Sequence, residues 1–321
     1  MAVDPPTFSA KFRRWQKWWR WGVGIGLLIT LVWIVGPTAI LDTFRRVSVG
    51  WFLVITVLAL LWLCLGALNV WFLLRRLEPI RLHVFLSVYV VSWATSLLLP
   101  GQLGDVSQVL LLRQHGVSIR SSGAAYVVDK TLSLGWLGLV ASYGIGRYLL
   151  FVQGWQLVIP PVLGGIAGVM GVLTVKRLSA SSASAIPQLG GLLTQVQTFQ
   201  SYPGTVMLNL TVTMLKWLLM AFFYWGAFHA FDASLPFEAA AVIPVMSSFV
   251  GYIPVTVGGA GTMEWTSVAI FSQVGIADVT VLSVHLFLRG ILLFAALLIL
   301  LIARLGNDRK DVGVRYDERL A

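Results

Sequence analysis

Six ionisable side chains lie inside stretches that are otherwise apolar: Asp105, Asp129, Lys130, Lys216, Glu264 and Arg289. A charge at the centre of a bilayer costs roughly 2.5–3.5 kcal/mol even on the gentler insertion scale, so each must be paired or wetted. Two of the six follow glycine-rich breaks. Asp105 comes after Pro100, Gly101 and Gly104 in "LLLPGQLGDVSQVLLLRQHG", and Glu264 after Pro254, Gly258, Gly259 and Gly261 in "YIPVTVGGAGTMEW". A helix that restarts at mid-depth turns unpaired N–H groups and the positive end of its dipole toward whatever lies before it, which suits an anionic group such as phosphate. The glycines let backbone approach that group closely.

Each residue also has a plainer reading. "DVSQ" places Asp105 at an N-cap with Gln108 at N3, a variant of the capping box. Glu264 has no such register, because Thr262 is the better cap, and is read as functional. Asn209, Thr213 and Lys216 recur at i, i+4 and i+7, a polar stripe that turns one helix face inward. Asp129, Ser133 and Trp136 share a face in the same way, and His285 lies one turn from Arg289. His285 reads as a hydrogen-bonded core histidine. The plain alternative for the whole set is buried ion pairs, Arg289 with Glu264 or Lys130 with Asp105, that only hold helices together.

The elements that must position these residues are transmembrane helices. The chain has 321 residues, 58% hydrophobic and 11% charged, with a mean hydropathy of +0.84. Apolar runs near 20 residues recur without the two-residue alternation of a barrel, so the fold class is an all-α polytopic membrane protein. A net charge of +10 would suggest nucleic acid for a soluble chain, but the cations lie in tails and short loops, and no nucleic-acid partner is expected. Cys64 is the only cysteine, which excludes an internal disulfide. No P-loop, H-E-x-x-H or G-x-S-x-G motif occurs, so neither a nucleotide motor nor an enzyme is expected, and no cofactor or metal.

Residues 1–21 interleave lysine and arginine with four tryptophans and read as an interfacial amphipathic segment on the cytoplasmic side. Spans are expected at about 22–41, 50–74, 123–150, 157–175, 205–228 and 279–303. Residues 82–116 and 237–276, apolar but broken, read as re-entrant hairpins. Residues 177–203 form a polar linker that ends in a short amphipathic helix, and 304–321 a cytoplasmic tail. With six crossings and two hairpins, seventeen cations fall inside and three outside, Arg45, Arg46 and Arg147, as the positive-inside rule asks. Both termini are then cytoplasmic. Residues 22–150 and 151–303 become two repeats entering from opposite faces, an inverted repeat around a central charged cavity.

The segments "LLLPGQLGDVSQVLLLRQHGVS", "AAYVVDKTLSL", "YIPVTVGGAGTMEWTSVAIFSQVGI" and "HLFLRGILL", in that order, resemble the flippase-like family related to the transmembrane region of lysylphosphatidylglycerol synthase. The resemblance spans about residues 45–303 and implies movement of phospholipids or modified lipids between leaflets. It implies roles for Asp129, Lys130, Glu264 and Arg289. Gln108 and "PVTVGG" depart from the family pattern, and the synthase's cytosolic transferase is missing, so lysyl transfer is not implied. The expected partners are membrane lipids with an anionic or zwitterionic headgroup, with a separate lipid synthase supplying them. The rival readings are a carrier of a polyprenyl-phosphate or small soluble anion, and an intramembrane headgroup enzyme. The oligomeric state is open, with a dimer among the options.

Overall fold

Helices begin where the sequence offers caps and prolines. In the computed structural model, which describes residues 25–45, 47–98, 103–159, 161–162, 194–252, 256 and 259–317, Ser48 accepts from the Trp51 N–H and Ser118 from the Ser121 N–H, opening two long helices. Pro203 opens a third at its first position. Among the described residues, the ten helices of eight or more residues are α1 (Ile25–Val35), α2 (Pro37–Phe44), α3 (Val49–Leu77), α4 (Leu82–Leu98), α5 (Leu103–Gln114), α6 (Ile119–Gly144), α7 (Pro203–Ala230), α8 (Phe237–Gly251), α9 (Thr262–Phe271) and α10 (Asp278–Asp317). No strand occurs among the described residues.

By length and composition α3, α7 and residues 278–302 of α10 can each cross a membrane, and the α1–α2 pair together makes a fourth candidate. The chain is a helical membrane protein. The span expected over about 22–41 is bent in its described part. Gly36 takes φ +96°, Pro37 cannot donate an N–H, and the chain bends by 83° there. α6 is long enough at 26 residues, but Arg120, Asp129 and Lys130 dilute its apolar character. It starts at Ile119, so Asp129 lies about 15 Å along it. Most of the expected span 157–175, the start of the linker and residues 1–21 lie outside the described residues; residues 194–198 form the short helix expected at the linker's end, with Phe199 buried after it. α10 continues as helix to Asp317, through most of the expected tail.

α4 and α5 pair side by side, as do α8 and α9. Each pair is bridged by serine hydroxyls, Ser92 with Ser107 at 3.0 Å and Ser267 donating to Ser247 at 2.7 Å. Ser92 and Ser247 are both the eleventh residue of their helix. α3 packs along α7, α4 packs on α10, and α8 packs on α6, so the first arm of each pair rests on the last helix of the other half. Lipid tails are as apolar as leucine, so such packing depends on close fit. Gly144 supplies it where α6 meets α8: a Cβ there would fall within contact distance of Met246 Sδ and reach 2.6 Å from Val242 Cγ1.

The base of the α4–α5 pair is closed by Glu78, which ends α3 and accepts from the Ser118 N–H at 2.9 Å, forty residues on. Partial burial would push the Glu78 carboxyl up, but the Ser118 N–H and the Ser121 and Ser118 hydroxyls outweigh it and hold the pKa below the ordinary 4.5. A depressed folded pKa means the clamp contributes in full above about pH 4.5 and is lost as pH falls through the folded value. Acidification below that point is expected to lower the protection of residues 115–120 against hydrogen exchange, relative to intrinsic exchange at the same pH, in the wild type and to leave that protection unchanged in Glu78→Gln. Equal acid sensitivity in both proteins would show that the carboxylate is not the clamp.

Candidate functional site

Glu264 and Arg289 meet. Arg289 Nε donates to Glu264 Oε1 at 2.9 Å, with Nη2 at 2.5 Å from the same oxygen, and the Glu264 side chain is 1% exposed. The other carboxylate oxygen, Oε2, accepts from the Gly261 N–H at 2.7 Å. Glu264 therefore does cap its helix, contrary to the sequence reading. Gly261 is the N-cap at φ +83°, a conformation β-branched Thr262 adopts only with strain. Thr262 becomes the first helical residue, its hydroxyl donates to the Gly259 carbonyl at 3.1 Å, and Glu264 falls at N3. Gly261 has no side chain to return the bond, so this is half a capping box. The positive end of α9 thus holds the chain's own carboxylate on the Gly261 N–H.

Gly259 takes φ +70°, and a Cβ on it would come within 3.0 Å of Gly251 Cα and 2.7 Å of Met263 Sδ. That close approach is where α8 returns to α9. Gly101 and Gly258 lie outside the described residues, and Gly104 and Asp105 are described in backbone only. α5 includes Leu103, so Asp105 is in its first turn rather than at the N-cap, and Gln108 falls beyond N3.

A second cluster forms around Asp129, which is buried. Its Oδ1 accepts from Asn69 Nδ2 at 2.8 Å and Asn209 Nδ2 at 3.1 Å, and Asn69 Nδ2 also donates to Thr213 Oγ1 at 2.9 Å. The inward stripe on α7 is therefore real for Asn209 and Thr213, both 0% exposed. Lys216, one turn further, is half-buried. Lys130 is half-buried too, with Nζ 5.4 Å from the centre of the Tyr126 ring. Asn69 was missed by sequence reasoning. Its signal was a lone amide in "LGALNVWF", seven residues after Trp62 on an apolar helix.

A cavity of about 320 Å³ lies where the tips of both helix pairs face α3, α7 and α10. Its walls include Trp62, Ser96, Trp217, Tyr224, Tyr252 and Met263. Among the described residues no charged side chain lines it, which corrects the expected charged cavity. The physical reason is pairing: Glu264 is held by Arg289 and Gly261, Asp129 by two amides, and both clusters lie behind the wall rather than in it. Met263 and Leu292, neighbours of the Glu264–Arg289 pair, do reach the cavity. His285 packs on Tyr224 with ring centres 5.4 Å apart, and its Nε2 has no hydrogen-bond partner among the described residues, so it is a core histidine without the expected bond at that nitrogen.

Long apolar helices with two pairs of shorter helices packed on them, and a half-open cavity of about 320 Å³ where they meet, define an all-helical membrane protein. The chain belongs to the family described as the lysylphosphatidylglycerol synthase TM region, whose model matches residues 18–299. A curated relative, a UPF0104 membrane protein of Methanothermobacter thermautotrophicus, is 21% identical and covers 79% of this chain and 85% of its own length. No solved structure matches the chain. The family is a membrane region linked to lipid handling.

Proposed function

We propose that the protein is a lipid translocator that moves a phospholipid or glycosylated lipid between leaflets without hydrolysing nucleotide. The observation that carries the reading is the cavity between the tips of the two helix pairs. Broken helix at membrane depth is tolerated only where it packs in protein or lines a cavity, and here the ends of α4 and α8 and the start of α9 meet at one. Aromatic rings and small hydroxyls make its walls amphipathic, fit for the polar end of a lipid with its glycerol.

In this reading both pairs are re-entrant. α4, α5, α8 and α9 have 17, 12, 15 and 10 residues. They are about 26, 18, 22 and 15 Å long, each short of the roughly 30 Å hydrocarbon core. The Glu78–Ser118 bond supports a return of the first pair to the side it left. The exchanged packing of α4 on α10 and α8 on α6, and the two matched serine bridges, support an inverted repeat of six crossings with both termini cytoplasmic. Rocking of one repeat against the other would open the chamber to each leaflet in turn, while acyl chains stay in lipid. Arg289, Lys130, Lys216 and the acidic residues act at the margins of the chamber, and a separate synthase supplies the lipid.

The test is reconstitution into vesicles carrying headgroup-labelled lipid in one leaflet. Protein-dependent appearance of label in the other leaflet is expected, for phospholipid and glycolipid probes compared side by side. Recovery of chemically altered lipid would point to an enzyme instead, and protection or transport of soluble anions alone would point to a small-anion carrier.

A further inference from the structure

The Asp129 layer has more oxygen acceptors than hydrogens to give them. Both amide nitrogens in it are committed: Asn69 Nδ2 to Asp129 Oδ1 and Thr213 Oγ1, Asn209 Nδ2 to Asp129 Oδ1 and, at 3.1 Å, the Asn69 carbonyl. What remains without a partner among the described residues are three side-chain oxygens, two of amides and one of a hydroxyl that can also donate. Asn69 Oδ1, Asn209 Oδ1 and, one turn along α6 from Asp129, Ser133 Oγ are inaccessible and have no hydrogen-bond partner among the described residues. Asn69 and Asn209 are fully buried and Ser133 is 6% exposed. Each amide oxygen is one amide width from its nitrogen, which puts both within about 5 Å of the carboxylate. Buried acceptors are rarely left unmatched, and a group of them around a carboxylate asks for a ligand.

We propose that this layer binds a sodium ion, held by the Asp129 carboxylate, the side-chain oxygens of Asn69 and Asn209 and the Ser133 hydroxyl, with Thr213 Oγ1 at hand. A proton on Asp129 serves one acceptor, whereas a small hard cation serves all of them at once. One carboxylate balances one positive charge, and calcium takes six to eight oxygens in sites richer in carboxylates. Transition metals favour imidazole or thiolate, and no cluster of three such or acidic ligands occurs among the described residues. A half-turn of each amide about its last torsion exchanges nitrogen for oxygen, so the arrangement that grips the carboxylate becomes one that grips the ion.

The layer also has a mechanical connection to the cavity. Trp62 lies two turns from Asn69 on α3, and Trp217 about two turns from Asn209 on α7, and both form cavity wall. An ion that ties α3, α6 and α7 together stiffens that wall, which provides a route by which a sodium gradient drives the chamber.

The experiment follows unfolding of the purified full chain in lipid nanodiscs by tryptophan fluorescence, in sodium, potassium or choline chloride of equal ionic strength at pH 8. Sodium alone is expected to raise the midpoint, by roughly 3–5 °C at ten times its dissociation constant. Asp129→Asn removes the gain. Should Asp129→Asn not fold, Ser133→Ala decides: it deletes an unpartnered hydroxyl, so it raises the midpoint in choline and increases the half-saturating sodium concentration several-fold. Equal midpoints in all three salts overturn the proposal. So does a gain that follows pH instead of sodium, which assigns the layer to a proton, or a sodium gain undiminished in Ser133→Ala. No transported lipid enters this readout, so it stands or falls separately from the translocation assay.

Discussion

Arg289→Ala is expected to destabilise the protein by about 3–5 kcal/mol, more than the double replacement Arg289→Ala with Glu264→Ala. The arginine is 27% exposed and the glutamate 1%. Removing the arginine therefore strands a carboxylate that has only the Gly261 N–H left to bond, whereas removing both leaves no buried charge. Glu264→Gln is the gentlest change. A glutamine at N3 can still accept from the Gly261 N–H and so keeps the cap, and the arginine it strands is partly exposed. The order Arg289→Ala, then the double variant, then Glu264→Gln, read from unfolding midpoints in one detergent, is the expected result. A double variant as unstable as the sum of Arg289→Ala and Glu264→Ala measured singly would show that the two side chains are not coupled, and that the pair seen between α9 and α10 contributes nothing of its own.

That pair also shows which features the sequence makes legible. Glu264, Arg289 and Asp129 stand out because ionised groups in apolar runs are costly, and the cost alone marks them. The Pro-Gly breaks stand out for the same kind of reason, and the helices do pair at those places. The cap at Glu264 was misread because it depends on φ at Gly261, which belongs to the fold and not to residue type. Asn69 escaped because a neutral amide carries no charge penalty and has no periodic partner on α3; its partners come from α6 and α7, 60 and 140–144 residues away. The expected charged cavity failed on the same point. Sequence lists the charges, but only tertiary packing shows that they satisfy one another and leave aromatic rings to line the chamber. The bend at Gly36 was written in "VGPT" and was overridden in the reading by the length of the apolar run around it.

The chamber itself sets up the larger functional effect. Ser248→Phe projects a ring from α8 into a space of about 320 Å³, and a phenyl side chain, adding on the order of 100 Å³, takes a large share of what a headgroup needs. Ser96→Phe does the same from α4, on the opposite pair. Neither residue belongs to the Glu264 or Asp129 cluster, and neither site is tightly packed, so overpacking strain of the 1–3 kcal/mol kind is expected to be small. Either variant should therefore fold with a wild-type midpoint or a higher one and lose most of its translocation, at least tenfold in the vesicle assay. Ser247→Ala is the control: it breaks the bond to Ser267 in the dry interface of α8 and α9 without entering the chamber, so it lowers stability and spares transport. A serine-to-phenylalanine variant that folds well and still moves lipid at the wild-type rate would mean that lipid passes over an outer face of the protein, and that the cavity between the helix pairs is a packing void.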